Sequence, residues 1–248
     1  MSEDTPVIDK PNDQLILVSG KSGVGKSTSL RNIRNMSRWM YLNCEAGKRL
    51  PFKNDFNSFT ITDPYQVPEA FDYGTNNPEV DGIIVDSITF LMDMFESQYI
   101  IGSANTMAGW SNYAQFFKNL MQQKVPHFGK PVILIAHTLD TLNEAAGEME
   151  TAVPIKGALK NQGIEAYFST VVSPKKVPLR KLENYKSDLL HVDEDDTILG
   201  YKHVFQTRLT KETTGERIRS PMGMFTREQT FIDPDVQLLL DHLKAFYD

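Results

Sequence analysis

The sequence predicts an α/β domain, a mostly parallel twisted sheet with helices on both faces and a C-terminal antiparallel extension. Three observations carry this. An apolar run at 15–18 breaks into a Gly-rich loop that opens a helical pattern reaching residue 33. Further short apolar runs, at 39–42, 59–62, 82–85 and 131–136, alternate with helix-compatible stretches and end in polar residues. Runs this short and this apolar suit strands buried on both faces of a parallel sheet. Beyond residue 168 the pattern changes to strands at 168–172 and 201–209, followed by 210–219, which reads as a β-hairpin centred on Gly215.

The loop after the first strand matches G-x-x-x-x-G-K-[ST] in full: Gly20, Lys21, Ser22, Gly23, Val24, Gly25, Lys26 and Ser27, with Thr28 following. A chain that cradles phosphates aims several backbone N–H groups inward, so glycines stand where a Cβ would clash. The helix start then adds unpaired N–H groups and the positive end of its dipole. These residues are expected to bind ATP, with Lys26 on the β- and γ-phosphates and Ser27 offering its hydroxyl to Mg²⁺. The run 82–87 ends an apolar strand in Asp86, a Walker B pattern whose carboxylate would also serve Mg²⁺. Two other strand ends are polar: Glu45 lies just past the second strand, and His137 and Thr138 follow 131–136. Open α/β sheets place their chemistry at such carboxyl ends.

Composition bounds the rest. A chain of 248 residues, 40% hydrophobic, can bury one large core, so a single domain is expected over 13–248 behind a flexible arm at 1–12. The net charge of −6 excludes a protein that coats polyanions through bulk charge alone. Cys44 is the only cysteine, which excludes an intrachain disulfide, and no Cys/His spacing resembles a zinc site. No apolar run approaches the roughly 18 residues of a spanning helix, so a cytoplasmic protein without membrane partners is expected.

Taken in order, helical patterns are expected near 68–73 and from 88 to 123, the latter interrupted at 101–106. From 139 to about 155 the chain is polar and aperiodic and reads as a long loop. The stretch 156–186 holds Lys156, Lys160, Lys175, Lys176, Arg180, Lys181 and Lys186 against Glu165 and Glu183. It is the one basic region, either a polyanion contact or an ordinary solvated face. The acidic run 193–196 reads as a turn. Asp233 and Pro234 cap a closing helix with an apolar stripe of Val236, Leu239, Leu240, Leu243 and Phe246.

With these motifs in this order, residues 14 to 225 resemble the ATPase core of the RecA/RadA recombinases. The resemblance is greatest to the short phage ATPases of that superfamily linked to single-strand annealing and recombination, notably over PIKGALKNQGIEAYFSTVV and TRLTKETTGERIRSPMGMF. It implies a RecA-like P-loop NTPase fold and a DNA-stimulated ATPase acting in phage recombination, annealing or replication, in the host cytoplasm. Glu45 falls where the family activates water, Asp86 on the Mg²⁺-associated acid, and His137 where a γ-phosphate contact relays to a DNA-binding loop. Lys211, with Arg217 or Arg219, falls where cations cross to a neighbour's ATP, which implies a homo-oligomer, ring or filament. The stretches 101–109 and 140–163 match the two DNA-binding loops. Lys156, Lys160, Asn161 and Gln162 are then single-stranded-DNA contacts, a single-strand-binding protein becomes a candidate partner, and Trp110, Tyr113 and Tyr167 are either base-stacking or core residues. No stretch matches the family's N-terminal helical domain or its Phe-x-x-Ala interface motif, and Glu144, Glu148 and Glu150 oppose phosphate contact, so strand exchange is not implied. Two other readings stay open: a protein loader or packaging module, and a small-molecule P-loop kinase with the Arg217/Arg219 segment as its lid.

Overall fold

The computed structural model describes residues 12–144 and 147–248. The expected arm lies outside the described residues except for Asn12, which is tied down. Its side chain donates to the Lys130 carbonyl at 2.8 Å and accepts from the Gln14 N–H at 3.1 Å.

Among the described residues, ten strands and seven helices follow in order: β1 (Leu15–Gly20), β2 (Trp39–Asn43), β3 (Asn57–Thr60), α1 (Gln66–Asn76), β4 (Gly82–Asp86), α2 (Ile88–Tyr99), α3 (Thr106–Asn119), α4 (Val125–Phe128), β5 (Val132–His137), β6 (Leu139–Asn143), β7 (Glu148–Ala152), β8 (Thr170–Pro178), α5 (Leu179–Leu182), α6 (Glu194–Leu199), β9 (Tyr201–Gln206), β10 (Phe231–Ile232) and α7 (Val236–Tyr247). Eight of the strands form one sheet in the order β10-β9-β8-β1-β5-β4-β2-β3, parallel from β8 to β3 and antiparallel from β8 to β10. The expected fold class is thus the observed one, a parallel α/β sheet with a C-terminal antiparallel part.

Strand alternation sends neighbouring side chains to opposite faces. Leu17, Leu42, Val85 and Leu134 pack with Phe71, Leu91, Phe95 and Phe117 of α1, α2 and α3. Ile16, Val18, Tyr41, Ile84 and Ile133 pack on the other face with Leu239, Leu240 and Leu243 of α7. With both faces covered, β1, β4 and β5 can be apolar throughout, and burying each such side chain contributes about 1.5–3 kcal/mol. All parallel strands point the same way, so β1, β2, β4 and β5 deliver their carboxyl ends to one edge.

Several expectations change on contact with the structure. The segment after the P-loop is a four-residue 3-10 turn, Ser27–Leu30, not a long helix. Ser and Asn compete for backbone groups, and here the Ser29 hydroxyl takes the Lys26 carbonyl at 2.6 Å while Asn35 turns left-handed at φ 53°. The third strand sits two residues earlier than 59–62 and is the exposed sheet edge. The long loop expected at 139–155 is instead the β6–β7 hairpin. Its pairing leaves no mark in the sequence because both faces carry polar residues, which removes the period-2 signal. Conversely, 210–219 is no hairpin. It makes turns and two isolated bridges, and Gly215 is a close approach to β7, its carbonyl accepting from the Thr151 N–H at 2.9 Å. A Cβ there would run into the Met149 carbonyl.

The acidic run is a helix start, since Asp193 and Asp196 form a reciprocal capping box for α6. Asp235, rather than Asp233 and Pro234, caps α7, and Phe246 stays exposed where the helix runs past the core. Tyr113 is core, 2% exposed, which removes it as a base-stacking residue. Trp110 and Tyr167 are only partly buried and pack against the same core.

Candidate active site

The polar ends of β1, β2, β4 and β5 converge on a cleft of about 240 Å³ lined by the P-loop, Tyr41, Glu45, Lys48, Asp86 and His137. Gly23 and Gly25 bend the loop at φ 76° and 95°, which a side chain would resist. Lys26 is 6% exposed and folds back over the loop. Its ammonium donates to the carbonyls of Gly20 at 2.9 Å and Lys21 at 2.7 Å, and stands 3.3 Å from His137 Nδ1. Burial lowers its pKa to about 8, against the opposing pull of Asp86 and Glu45. A cation kept this dry is poised to be matched by phosphate charge.

His137 Nε2 lies 3.1 Å from Glu45 Oε1. An ammonium only donates, so a neutral imidazole accepts from Lys26 at Nδ1 and donates from Nε2 to the carboxylate. The residue is anchored by its backbone N–H, which donates to Thr89 Oγ1 at 2.9 Å, and its ring stands edge-on to Phe90 at 5.5 Å. Glu45 Oε2 accepts from Lys48 Nζ at 2.9 Å. Burial pushes the Glu45 carboxyl up, but hydrogen bonds from Lys48 and His137 outweigh it and hold the group below the usual carboxylate range. Glu45 is therefore an ionised carboxylate beside the P-loop lysine.

Asp86 ends β4 with one oxygen satisfied twice, by Ser27 Oγ at 2.9 Å and Tyr41 OH at 2.8 Å. Its other oxygen, Oδ1, is buried with no hydrogen-bond partner among the described residues. Burial raises its pKa, with the two hydroxyls opposing. An orphaned anionic oxygen next to the Ser27 hydroxyl suits a hard divalent cation, so the donor set fits Mg²⁺. Burial, followed by the Asp86 charge, raises the Tyr41 phenol far above its ordinary value, so it stays a donor.

A family model described as AAA domain matches residues 12–177. The chain belongs to that family. It is a nucleotide-hydrolysing P-loop ATPase, and the matched span holds β1, β2, β4 and β5 with every residue of the cleft. A search of the curated proteins finds no match. Among the described residues no helix is long and apolar enough to cross a membrane, and no cluster of three His, Cys, Asp or Glu could hold a metal.

The structure brings together Gly20 to Thr28, Glu45, Asp86 and His137 of the expected site residues. The others lie apart. Lys156 pairs with Glu96 on α2, while Lys160, Asn161 and Gln162 form an exposed turn. Arg217 is engaged within its own chain by the Gln162 carbonyl at 3.4 Å and Glu165 at 3.5 Å, while Lys211 and Arg219 are exposed. The basic region is dispersed and in part neutralised: Lys175 pairs with Glu216 and Lys181 with Glu212, while Lys176 lies over the Tyr201 ring. Sequence reasoning missed Tyr41, Lys48 and Thr89. Tyr41 looked like one more apolar strand residue, and only tertiary pairing shows its hydroxyl on Asp86. Lys48 had a local signal, the Ala46-Gly47 pair just before it.

Proposed function

We propose that the protein is a RecA-like ATPase whose hydrolysis of ATP with Mg²⁺ is coupled to single-stranded DNA, in recombination, annealing or replication of phage DNA. One observation carries the coupling: β5 runs from the cleft at His137 straight into β6 of the hairpin, and Lys21 of the P-loop is bonded to Asp140 of β6 at 2.5 Å. Thr151 of β7 braces that carboxylate at 2.8 Å. Any shift of the P-loop or of His137 on nucleotide binding is thereby passed to the hairpin and the exposed turn Lys160–Asn161–Gln162 beyond it.

In this reading Lys26 neutralises the phosphates and Glu45 orients and deprotonates water. Ser27 and Asp86 would hold Mg²⁺, which would supply positive charge beside the phosphate oxygens. Lys211 and Arg219, exposed and without a side-chain partner among the described residues, could serve as cations for a neighbouring protomer in a homo-oligomer, and Arg217 takes part only if it leaves Glu165. The 13–248 chain acts as one unit in this scheme.

A second reading, a nucleotide-switched module that loads another protein, is favoured by the hairpin surface: Leu142 and Met149 are exposed among Glu144, Glu148 and Glu150, a surface that repels phosphates. Hydrolysis measured with and without single-stranded DNA, together with DNA anisotropy over a salt series in ADP and a non-hydrolysable ATP analogue, decides between them. The first reading expects stimulation, tighter binding in the ATP state, and affinity falling with salt by a log–log slope of about −0.7 per phosphate contacted. No binding in either state would move the assignment to the protein-loading module.

A further inference from the structure

Glu45 is followed by a turn that lies outside the P-loop and is built under constraint. Ala46 and Gly47 both take positive φ, 54° and 75°, and the Lys48 N–H returns to the Glu45 carbonyl at 3.1 Å. Two consecutive left-handed residues inside an i to i+3 bond have the sign pattern of a type I′ turn, which an alanine adopts only at a cost. Such strain persists where the surroundings over-determine it. They do so here: the Asn43 side chain accepts from the Glu45 N–H at 2.9 Å and donates to the Lys48 carbonyl at 2.8 Å, clasping both ends of the turn. What the turn achieves is the placement of Lys48 Nζ on Glu45 Oε2, opposite the His137 contact on Oε1.

We propose that Lys48 is a positioning residue for ATP hydrolysis, held by the strained Ala46-Gly47 turn so that it and His137 fix the Glu45 carboxylate from both sides, in the orientation that activates water. This rests on the reading of Glu45 as the water-activating carboxylate. The lysine side chain is 70% exposed, and a surface pair of that kind stabilises little by itself, so its purpose is orientation of its partner. The arrangement also sets protonation. Glu45 is faced by Lys48 from its own turn, by His137 from the end of β5, and at longer range by Lys26 and Asp86. Of these, Lys48 is the one cation that touches it outside the phosphate cradle. Removing Lys48 raises the carboxyl pKa, and a base must be ionised to work, so the acid limb of the rate profile moves to higher pH.

The test compares Glu45→Gln, Lys48→Gln, Lys48→Arg and Ala46→Val in ATP turnover across pH, with affinity for a non-hydrolysable ATP analogue measured separately. Ala46→Val keeps both charges on an exposed turn but carries a β-branched side chain that resists positive φ. Expected results are a fall in kcat of about 10–100-fold for Lys48→Gln, the size seen when an orienting partner is lost, with analogue affinity nearly unchanged and the acid limb displaced upward. Ala46→Val should follow it, and Lys48→Arg should recover most of the rate. Wild-type kcat and pH profile in Lys48→Gln or in Ala46→Val, or a faster Lys48→Gln, overturns the inference while leaving a slow Glu45→Gln intact. Wild-type hydrolysis in Glu45→Gln instead overturns the reading of Glu45 itself.

Discussion

The nucleotide cleft and the β6–β7 hairpin stand at successive points of one chain path and are made in opposite ways. In the cleft, charged groups are dry and interlocked: Lys26, Glu45, Asp86 and His137 each meet partners from different strands, and removing one strands another. On the hairpin and its surroundings, charges meet at the surface in separate pairs, Lys21 with Asp140 and Lys156 with Glu96. Buried networks are costly to break, whereas exposed pairs contribute little. The cleft therefore reads as fixed machinery and the hairpin as a surface that can move against it.

The largest effect that could break this contrast is expected at Lys26. Lys26→Ala should abolish ATP turnover while the fold, followed by circular dichroism, persists; normal turnover would remove the cleft as the active site. Next is Gly215→Ala, where the new methyl meets the Met149 carbonyl across the hairpin. Overpacking of this kind costs about 1–3 kcal/mol, so a lower denaturation midpoint and faster amide exchange in β7 are expected; an unchanged midpoint would mean the hairpin is not held by this segment.

A smaller effect comes from titration. The Lys26 pKa stands at about 8 in the fold against an ordinary 10.5, so between those values the unfolded chain binds the extra proton. The nucleotide-free protein should therefore gain stability as pH rises through that window, and Lys26→Met should flatten the difference. Nucleotide binding above about pH 8 should take up a proton, visible by calorimetry in buffers of different ionisation enthalpy. The smallest effect is expected at the tie between the regions: Lys21→Ala should change global stability by less than about 1 kcal/mol, yet uncouple amide exchange in β6 from nucleotide. A large loss of stability there would show that the hairpin belongs to the cleft's network.

The sequence by itself determined the parallel sheet, the P-loop and the acid at the end of β4, because each is written in contiguous residues: an apolar run for a strand buried on both faces, glycines where the backbone must turn, a carboxylate where the run stops. It also placed Glu45 and His137 at strand ends. Tertiary structure alone decided that Tyr41 bonds Asp86, that Lys26, His137 and Glu45 form one chain of contacts, and that 139–152 is a hairpin while 210–219 is not. It also decided that three lysines of the basic stretch are taken up in ion pairs. Those outcomes depend on which distant segments meet, as when Glu96, Glu212 and Glu216 find lysines at 156, 181 and 175. Local composition carries the charge of a segment, but only packing settles whether that charge faces a partner or a ligand.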